Sequence, residues 1–217
     1  FLNAATWQDK TNYTFASSFK KDFMNLLDVY LDFTFFPILN ENTFKREGYF
    51  YSKDGESYKF NGIVFNEMKD SLLGYDRRSY FDNIKHLFPG STYSHLQGGD
   101  PVEIVDLNVQ DIRDYHKNYY HPSNAYVIIY GKIDKKKVFH KLDEYFSEFE
   151  FKKFDFDTDL SFLNEEKEIE DYYQDYIEDD RICFSKSILF DKVTFEEEIA
   201  LGFLIDLLFR HEFSPMK

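Results

Sequence analysis

The sequence predicts an α+β fold in which a mainly antiparallel sheet packs against helices. Three observations lead to this prediction: a helical repeat of apolar residues after residue 18, a strand-turn-strand pattern around Asp54-Gly55, and a continuous apolar run at 125–130. The chain has 217 residues, of which 43% are hydrophobic and 20% aromatic. This is enough large apolar surface to bury a core, so we expect a folded protein rather than a disordered one.

A first helix is predicted where large apolar side chains recur every three or four positions. The positions that share this spacing are Phe19, Phe23, Leu26, Leu27, Tyr30 and Leu31. Side chains at this spacing lie on one helix face, which is typical of a helix that packs against a core. Pro37 cannot continue a helix and is expected to close this one.

A β-hairpin is predicted next. Aromatic-rich segments at 49–51 and 58–60 flank Asp54-Gly55, a dipeptide that favours a tight turn between antiparallel strands. The two segments are therefore expected to pair.

Two helices are expected after the hairpin. The first begins near Gly62 and is interrupted at Gly74, and the second runs to Pro89. Residues 89–107 are predicted to form a long loop, and loops of this length usually carry function or lie over a site.

The third part of the chain predicts helix, strand and helix. Asn108 is a candidate N-cap, with Asp111 three residues on, for a helix that ends at His121-Pro122. The apolar and β-branched run 125–130 predicts a buried strand. Asp134 is expected to cap the helix that follows.

These elements suggest two domains. Residues 1–150 are predicted to be the larger part of a first domain, and residues 151–180, which mix acidic and aromatic residues without a period, a connector. A second unit is expected at 181–217. It begins with strand-like composition and continues with a capping box, formed by Thr194 and Glu197, before an apolar helix.

Charge and apolar patterning bear on partners. The net charge of −14 argues against a nucleic-acid partner, because binding to phosphates needs clustered Lys and Arg. No stretch reaches the roughly 18 apolar residues that would predict a membrane span. An acidic face could attract basic peptides, and the alternative is that the acidity serves solubility only.

Single residues offer little chemistry by themselves. Cys183 is the one cysteine, which excludes an intrachain disulfide, and it is expected to be a small buried hydrophobic residue. None of the six His lies three or four residues from another, so no zinc site can be assembled from them. Motifs of serine hydrolases, nucleotide-binding loops and dinucleotide-binding folds do not occur.

Three stretches resemble a known family. They are Gly62-Ile63-Val64-Phe65-Asn66-Glu67-Met68-Lys69, Phe1-Leu2-Asn3-Ala4-Ala5-Thr6 and Tyr120-His121-Pro122-Ser123-Asn124-Ala125. Together they resemble the insulinase and pitrilysin superfamily of zinc peptidases, in its presequence protease and falcilysin branch. The catalytic His-x-x-Glu-His helix of that family is not among these residues. We therefore expect a fragment: the remainder of a catalytic α/β roll domain, a connector, and the beginning of a second homologous domain.

The resemblance implies a role for Glu67. Taken alone, Glu67 is expected to be a solvated carboxylate on an amphipathic helix. In the family, a Glu in this setting is a zinc ligand beside the two imidazoles of the absent motif. Asp70 stands where the family usually has Gly. One zinc ion per full-length protein is implied, and these residues alone are not expected to retain it.

The resemblance also implies a substrate-binding strand. In the family, the strand that corresponds to the first six residues lines the cleft and pairs with the peptide backbone, which assigns substrate binding to Asn3, Ala4 and Ala5. A plain core strand is the alternative interpretation. Trp7-Gln8 departs from the Tyr-Pro common in relatives. His121 is expected to be structural.

The implied function is that of a zinc metalloendopeptidase that degrades unstructured oligopeptides, such as cleaved targeting presequences, through zinc-activated water. No catalytic residue is expected among these residues, which should be inactive alone and need the remainder of their own chain. A non-catalytic structural subunit of the superfamily is the alternative, and an unrelated peptide-binding domain with an exposed edge strand is a third. The resemblance implies the mitochondrial matrix or another organelle, such as a plastid or a digestive vacuole.

Overall fold

The structure is a computed structural model that describes residues 1–155, 185–190, 192–210 and 212–215. The chain divides into two compact units, Phe1–Asp179 and Asp180–Lys217. The boundaries expected at residues 150 and 180 stay predictions. Residues 156–184 are outside the described ranges. Most of the predicted connector and Cys183 lie there.

The first unit opens with a β-hairpin. Strand β1 (Leu2–Thr6) pairs antiparallel with β2 (Thr11–Phe15), in a register that places Ala4 opposite Tyr13. All five side chains of β1 are exposed, whereas those of β2 alternate between partly buried and exposed. The hairpin therefore rests on the rest of the unit mainly through β2.

Helix α1 (Lys20–Phe35) confirms the first predicted helix. Its C-cap is Phe36, directly before the proline that was expected to close it. Its buried residues Leu27, Leu31 and Phe35 recur every four positions and form one core cluster with Val138. The cluster joins α1 to a later helix of the same unit.

Helix α2 (Glu41–Glu47) was not predicted. None of its seven residues is buried, so the segment has no apolar repeat that sequence analysis could detect. The one local signal is Asn40, whose side chain accepts a hydrogen bond from the backbone N–H of Thr43 and thereby caps the helix.

The predicted hairpin is confirmed as β3 (Phe50–Asp54) and β4 (Ser57–Asn61), with Gly55 at φ 64° in the turn. The left-handed backbone at Gly55 is the conformation that Asp-Gly turns require. Antiparallel pairing is thus confirmed, and it takes the form of two separate two-stranded sheets among the described residues.

Helices α3 (Ile63–Ser71) and α4 (Tyr75–Leu87) follow, as predicted, on either side of Gly74. Gly62, at φ 148°, precedes α3, and a Cβ atom there would meet the carbonyl oxygen of Gly48. Only glycine allows the two backbone segments to approach this closely.

Residues 89–107, predicted as a loop, contain a 3-10 turn at Thr92–Ser94 and the short helix α5 (Pro101–Ile104). Ile104 forms a second core cluster with Phe65 and Met68 of α3. This segment therefore packs over α3 and is more structured than expected.

Helix α6 (Val109–Tyr119) begins at the predicted capping box. The Asn108 side chain accepts hydrogen bonds from the N–H groups of Gln110 and Asp111, while the Asp111 carboxylate accepts from the N–H of Asn108. His121 follows this helix, and its Nδ1 accepts a hydrogen bond from the N–H of Ser123, which is a structural role.

The buried strand predicted at residues 125–130 is wrong. The segment has no regular secondary structure, and Tyr126, Ile128 and Tyr130 are each at least 90% exposed. Ile129 packs against the cluster around α1. A buried strand needs paired neighbours and cover on both faces, and the described residues supply contacts to one face only.

Helix α7 (Lys135–Phe146) begins at Asp134, as predicted, and contributes Val138 to the core cluster of α1. The Asp134 carboxylate accepts a hydrogen bond from the N–H of Lys137 and caps the helix. With α1 it forms one of the helix–helix contacts of the first unit.

The second unit contains helix α8 (Phe195–Ile205), which begins at the predicted capping box of Thr194 and Glu197, and a π-helical turn at Asp206–Arg210. The strand-like composition at the start of this unit does not produce a strand at residues 185–190, which have no regular secondary structure. Within the described ranges, no helix has the length and apolar character needed to cross a bilayer.

Candidate functional site

The hydrogen bonds of the first hairpin determine which groups of β1 face outward. The nitrogen of Phe1 donates to the carbonyl oxygen of Ala16 and the N–H of Ala16 donates to that of Phe1, both at 3.0 Å. Bonded and non-bonded pairs alternate in an antiparallel ladder. Asn3 and Ala5 therefore direct their backbone polar groups toward β2.

Ala4, by the same alternation, directs its N–H and C=O toward the other edge of β1. Leu2 and Thr6 share this orientation. No strand in the described part of the chain pairs with this edge. Of the three residues predicted to bind substrate, Ala4 is thus the one whose backbone is presented at the free edge.

The Asn3 side chain covers the Ala4 donor. Its Oδ1 accepts a hydrogen bond from the Ala4 N–H at 2.8 Å. An open strand edge is a template for pairing with another chain. Asn3 therefore occupies one exposed donor of that edge, and an incoming carbonyl would have to replace it.

Tyr30 anchors the hairpin to α1. Its hydroxyl accepts a hydrogen bond from the N–H of Asn3 at 3.1 Å and lies 3.1 Å from the carbonyl oxygen of Thr14, to which it donates. The Tyr30 ring packs against Phe15 and Phe33, with centroid distances of 4.8 and 4.7 Å. One buried side chain thus contacts both strands.

A pair of tyrosines also supports β2. The hydroxyl groups of Tyr13 and Tyr120 lie 2.9 Å apart and share a hydrogen bond. Burial, together with this bond, raises the pKa of Tyr13 well above its ordinary value. The phenol therefore stays protonated and can serve as a neutral anchor across the physiological pH range.

Glu67 lies on the exposed face of α3. Phe65 and Met68 are buried on the other face, in the second core cluster. Among the described residues, the Glu67 carboxylate makes no hydrogen bond or ion pair. It is a free oxygen donor on a helix whose orientation is set by packing.

Asn61 holds the start of that helix. Its Oδ1 accepts hydrogen bonds from the N–H of Gly62 at 2.9 Å and from Nδ2 of Asn66 at 2.6 Å. One side chain thus joins the end of β4 to the first turn of α3, next to Glu67. Asn61 was not predicted as a functional residue.

Glu67 by itself does not make a metal site. Within the described ranges, no group of three His, Cys, Asp or Glu side chains could hold a metal ion. A carboxylate is a donor that zinc accepts as one of three protein ligands. The chemistry of Glu67 thus fits one ligand position, and the described residues do not complete a metal site around it.

Residues 106–216, slightly more than half of the chain, match the family model described as the Peptidase M16 inactive domain. The chain belongs to the M16 peptidase family. Family membership confirms the predicted resemblance to insulinase-type peptidases. The match begins after β1 and Glu67, so it does not test the predicted site.

Curated relatives of this M16 chain extend the match. Protein HypA of Clostridium perfringens is 41% identical over 71% of the chain, which spans 16% of that protein. Presequence protease 1, chloroplastic/mitochondrial, of Arabidopsis thaliana is 33% identical over the whole chain, which spans 21% of it. The mitochondrial presequence protease of Schizosaccharomyces pombe is 37% identical over 79% of the chain, and the matched part spans 18% of that protein. The M16 chain thus spans about a fifth of the length of these relatives.

Proposed function

We propose that this chain is part of an M16 metalloendopeptidase that degrades unstructured oligopeptides, such as cleaved presequences. The observation that carries the proposal is the free edge of β1, where the backbone of Ala4 faces away from the hairpin. The names of the Arabidopsis and Schizosaccharomyces relatives support the substrate class and an organellar location, in mitochondria or plastids.

Binding at this edge would occur by strand addition. An extended peptide pairs its backbone with the outward groups of alternate residues, here Leu2, Ala4 and Thr6. Because main-chain groups make the bonds, the sequence of the peptide matters little. The peptide carbonyl nearest Ala4 takes the place of Asn3 Oδ1 on the Ala4 N–H.

Glu67 is proposed as one ligand of a zinc ion. When bound, zinc supplies a Lewis acid that polarises a carbonyl group and lowers the pKa of bound water. Glu67 contributes an anionic oxygen, and Asn61 and Gly62 hold the first turn of its helix. The imidazole ligands and the general base are proposed to come from residues outside this sequence, so the 217 residues alone should be inactive.

A non-catalytic role is the second candidate. The matching family model is described as an inactive domain, which favours a scaffolding role for residues 106–216. In that case the whole protein would hold peptides or partner subunits without cleaving them. Zinc content and peptide turnover of the full-length protein separate the two candidates.

The test of the proposal is Ala4→Pro in the full-length protein. The Ala4 N–H lies outside the β1–β2 ladder, so proline removes an edge donor without breaking a bond to β2. We expect peptide turnover at substrate concentrations well below KM to fall by about threefold to tenfold, the equivalent of one lost hydrogen bond, while the melting temperature changes little.

Ala4→Val is the matched control, because it adds bulk at the same position but keeps the N–H. It should retain most of the turnover. Undiminished turnover of Ala4→Pro would contradict strand addition at this edge.

A further inference from the structure

We infer that Tyr30 is a positioning residue for the free edge of β1 and that it acts through its hydroxyl group. The inference rests on the proposed function, because it gives Tyr30 a role in peptide binding only if peptides pair with β1. Tyr30 does not itself reach the free edge, since its contacts are to the inner side of the hairpin.

The hydroxyl lies at the rung of the ladder next to Ala4. It accepts from the N–H of Asn3 at 3.1 Å and lies within 3.1 Å of the Thr14 carbonyl oxygen and 3.4 Å of the Asn3 carbonyl oxygen. Asn3 and Thr14 are directly opposite each other. Tyr30 therefore bonds to both strands at one point, one residue from the group that would meet the peptide.

The hairpin needs such an anchor. A two-stranded hairpin is marginally stable by itself, so its position depends on what it packs against. Two other contacts hold the hairpin, but both are made by β2. The ring of Phe15 packs on Phe23 and Tyr30, and the hydroxyl of Tyr13 shares a hydrogen bond with that of Tyr120. Tyr30 reaches the backbone of β1 itself.

The burial of Tyr30 makes its hydroxyl an effective positioning group. Tyr30 is 9% exposed, so water does not readily replace the hydroxyl when it is removed. Without the hydroxyl, Asn3 and Thr14 keep only their bonds to each other, and the backbone of β1 loses its hydrogen bond to α1, which leaves the marginally stable hairpin freer to shift on the helix. Movement of Asn3 would shift the donor of Ala4 with it.

The experiment is Tyr30→Phe in the full-length protein, assayed with a labelled unstructured peptide. Phenylalanine keeps the ring contacts to Phe15 and Phe33 and removes only the hydroxyl. Pairing along the edge should hold the ground state and the transition state about equally. We therefore expect KM to rise about fivefold to tenfold and kcat to stay within about twofold.

Tyr145→Phe is the matched control. It removes a phenol hydroxyl that donates to Asp28 at 2.9 Å, at a contact between helices away from the hairpin. Both variants should lower the melting temperature by a similar amount, whereas only Tyr30→Phe should raise KM and accelerate amide exchange at residues 1–6.

The outcomes separate the inference from the proposed function. If Ala4→Pro reduces turnover but Tyr30→Phe leaves KM unchanged, or raises it no more than Tyr145→Phe does, the positioning role of Tyr30 alone is overturned. If Ala4→Pro leaves turnover unchanged, both the proposed binding edge and the positioning role of Tyr30 are contradicted.

Discussion

The hydroxyl group of Tyr145 donates a hydrogen bond to the carboxylate of Asp28 at 2.9 Å, which joins α7 to α1. Lys141 adds an ion pair to the same carboxylate at 3.2 Å. The hydrogen bond from Tyr145, with the help of Lys141, lowers the pKa of Asp28. Burial and the bond to Asp28 raise the pKa of Tyr145 to about 12. The contact thus favours an ionised Asp28 and a protonated Tyr145.

This contact predicts a pH-dependent contribution to stability. A carboxylate with a lowered pKa in the folded state stabilises the fold above its unfolded pKa, near 4. The contribution is lost as the pH falls through the folded pKa. Asp28→Asn should lower the free energy of unfolding at pH 7 by about 0.5 kcal/mol, because the pair is half-exposed. The difference from wild type should shrink between about pH 5 and pH 3 in urea unfolding.

Asp143→Asn serves as the control for this titration. Its carboxylate is on α7 as well and makes no hydrogen bond or ion pair with the described residues. The variant should follow the wild type across the same pH range. A difference between Asp28→Asn and wild type that does not shrink on acidification would refute the stabilising role of the Asp28 carboxylate.

Glu67→Ala tests the proposed zinc ligand in the full-length protein. Loss of one of three protein ligands should abolish peptide turnover and reduce the zinc retained after dialysis, as measured by atomic emission spectrometry. Asp70→Ala, which removes another exposed carboxylate of α3, should leave both quantities unchanged. Wild-type turnover with unchanged metal content in Glu67→Ala would rule out the assignment.

Gly62→Ala tests the backbone contact that sets the start of α3. At φ 148° a side chain is strained, and its Cβ would collide with the carbonyl oxygen of Gly48. We expect the free energy of unfolding to fall by more than about 2 kcal/mol, measured by urea denaturation.

Gly74→Ala is the contrasting substitution. Gly74 has an ordinary φ of −77°, and nothing lies within 4 Å of the position of an added Cβ. Alanine there meets no steric conflict and should lower the free energy of unfolding by less than about 1 kcal/mol, since Gly74 is the N-cap of α4 and alanine is a poorer N-cap residue than glycine. If both variants lost the same free energy of unfolding, the close approach of the backbone at Gly62 would not be the cause of the loss in Gly62→Ala.

The sequence predicted best those features that neighbouring residues decide. The capping box of Asn108 and Asp111, the turn at Gly55 and the end of the first helix before Pro37 are all present. Each depends on hydrogen bonds or backbone angles within a few residues, so the local sequence contains the whole cause. Helix α2 escaped prediction because it has no buried face.

The sequence predicts least well those features that distant residues decide. The run 125–130 is apolar enough for a buried strand, but burial depends on which strands and helices cover it, and Ile128 is 90% exposed. Tyr30 was predicted as a core position only. The signal that could have indicated its further role was the hydroxyl group, because a buried phenol usually finds a hydrogen-bond partner.

The amino-acid sequence by itself determined the α+β class, most of the helices, the second hairpin and the family. Periodicity and capping reflect short-range interactions, and the motifs reflect common descent, so each can be identified from the sequence of residues alone. Only the tertiary structure decided that Ala4 faces the free edge of β1 and that Tyr30 bonds to the rung beside it. Both facts depend on the register between strands and on the packing of a helix onto them, and these bring together residues far apart in the sequence.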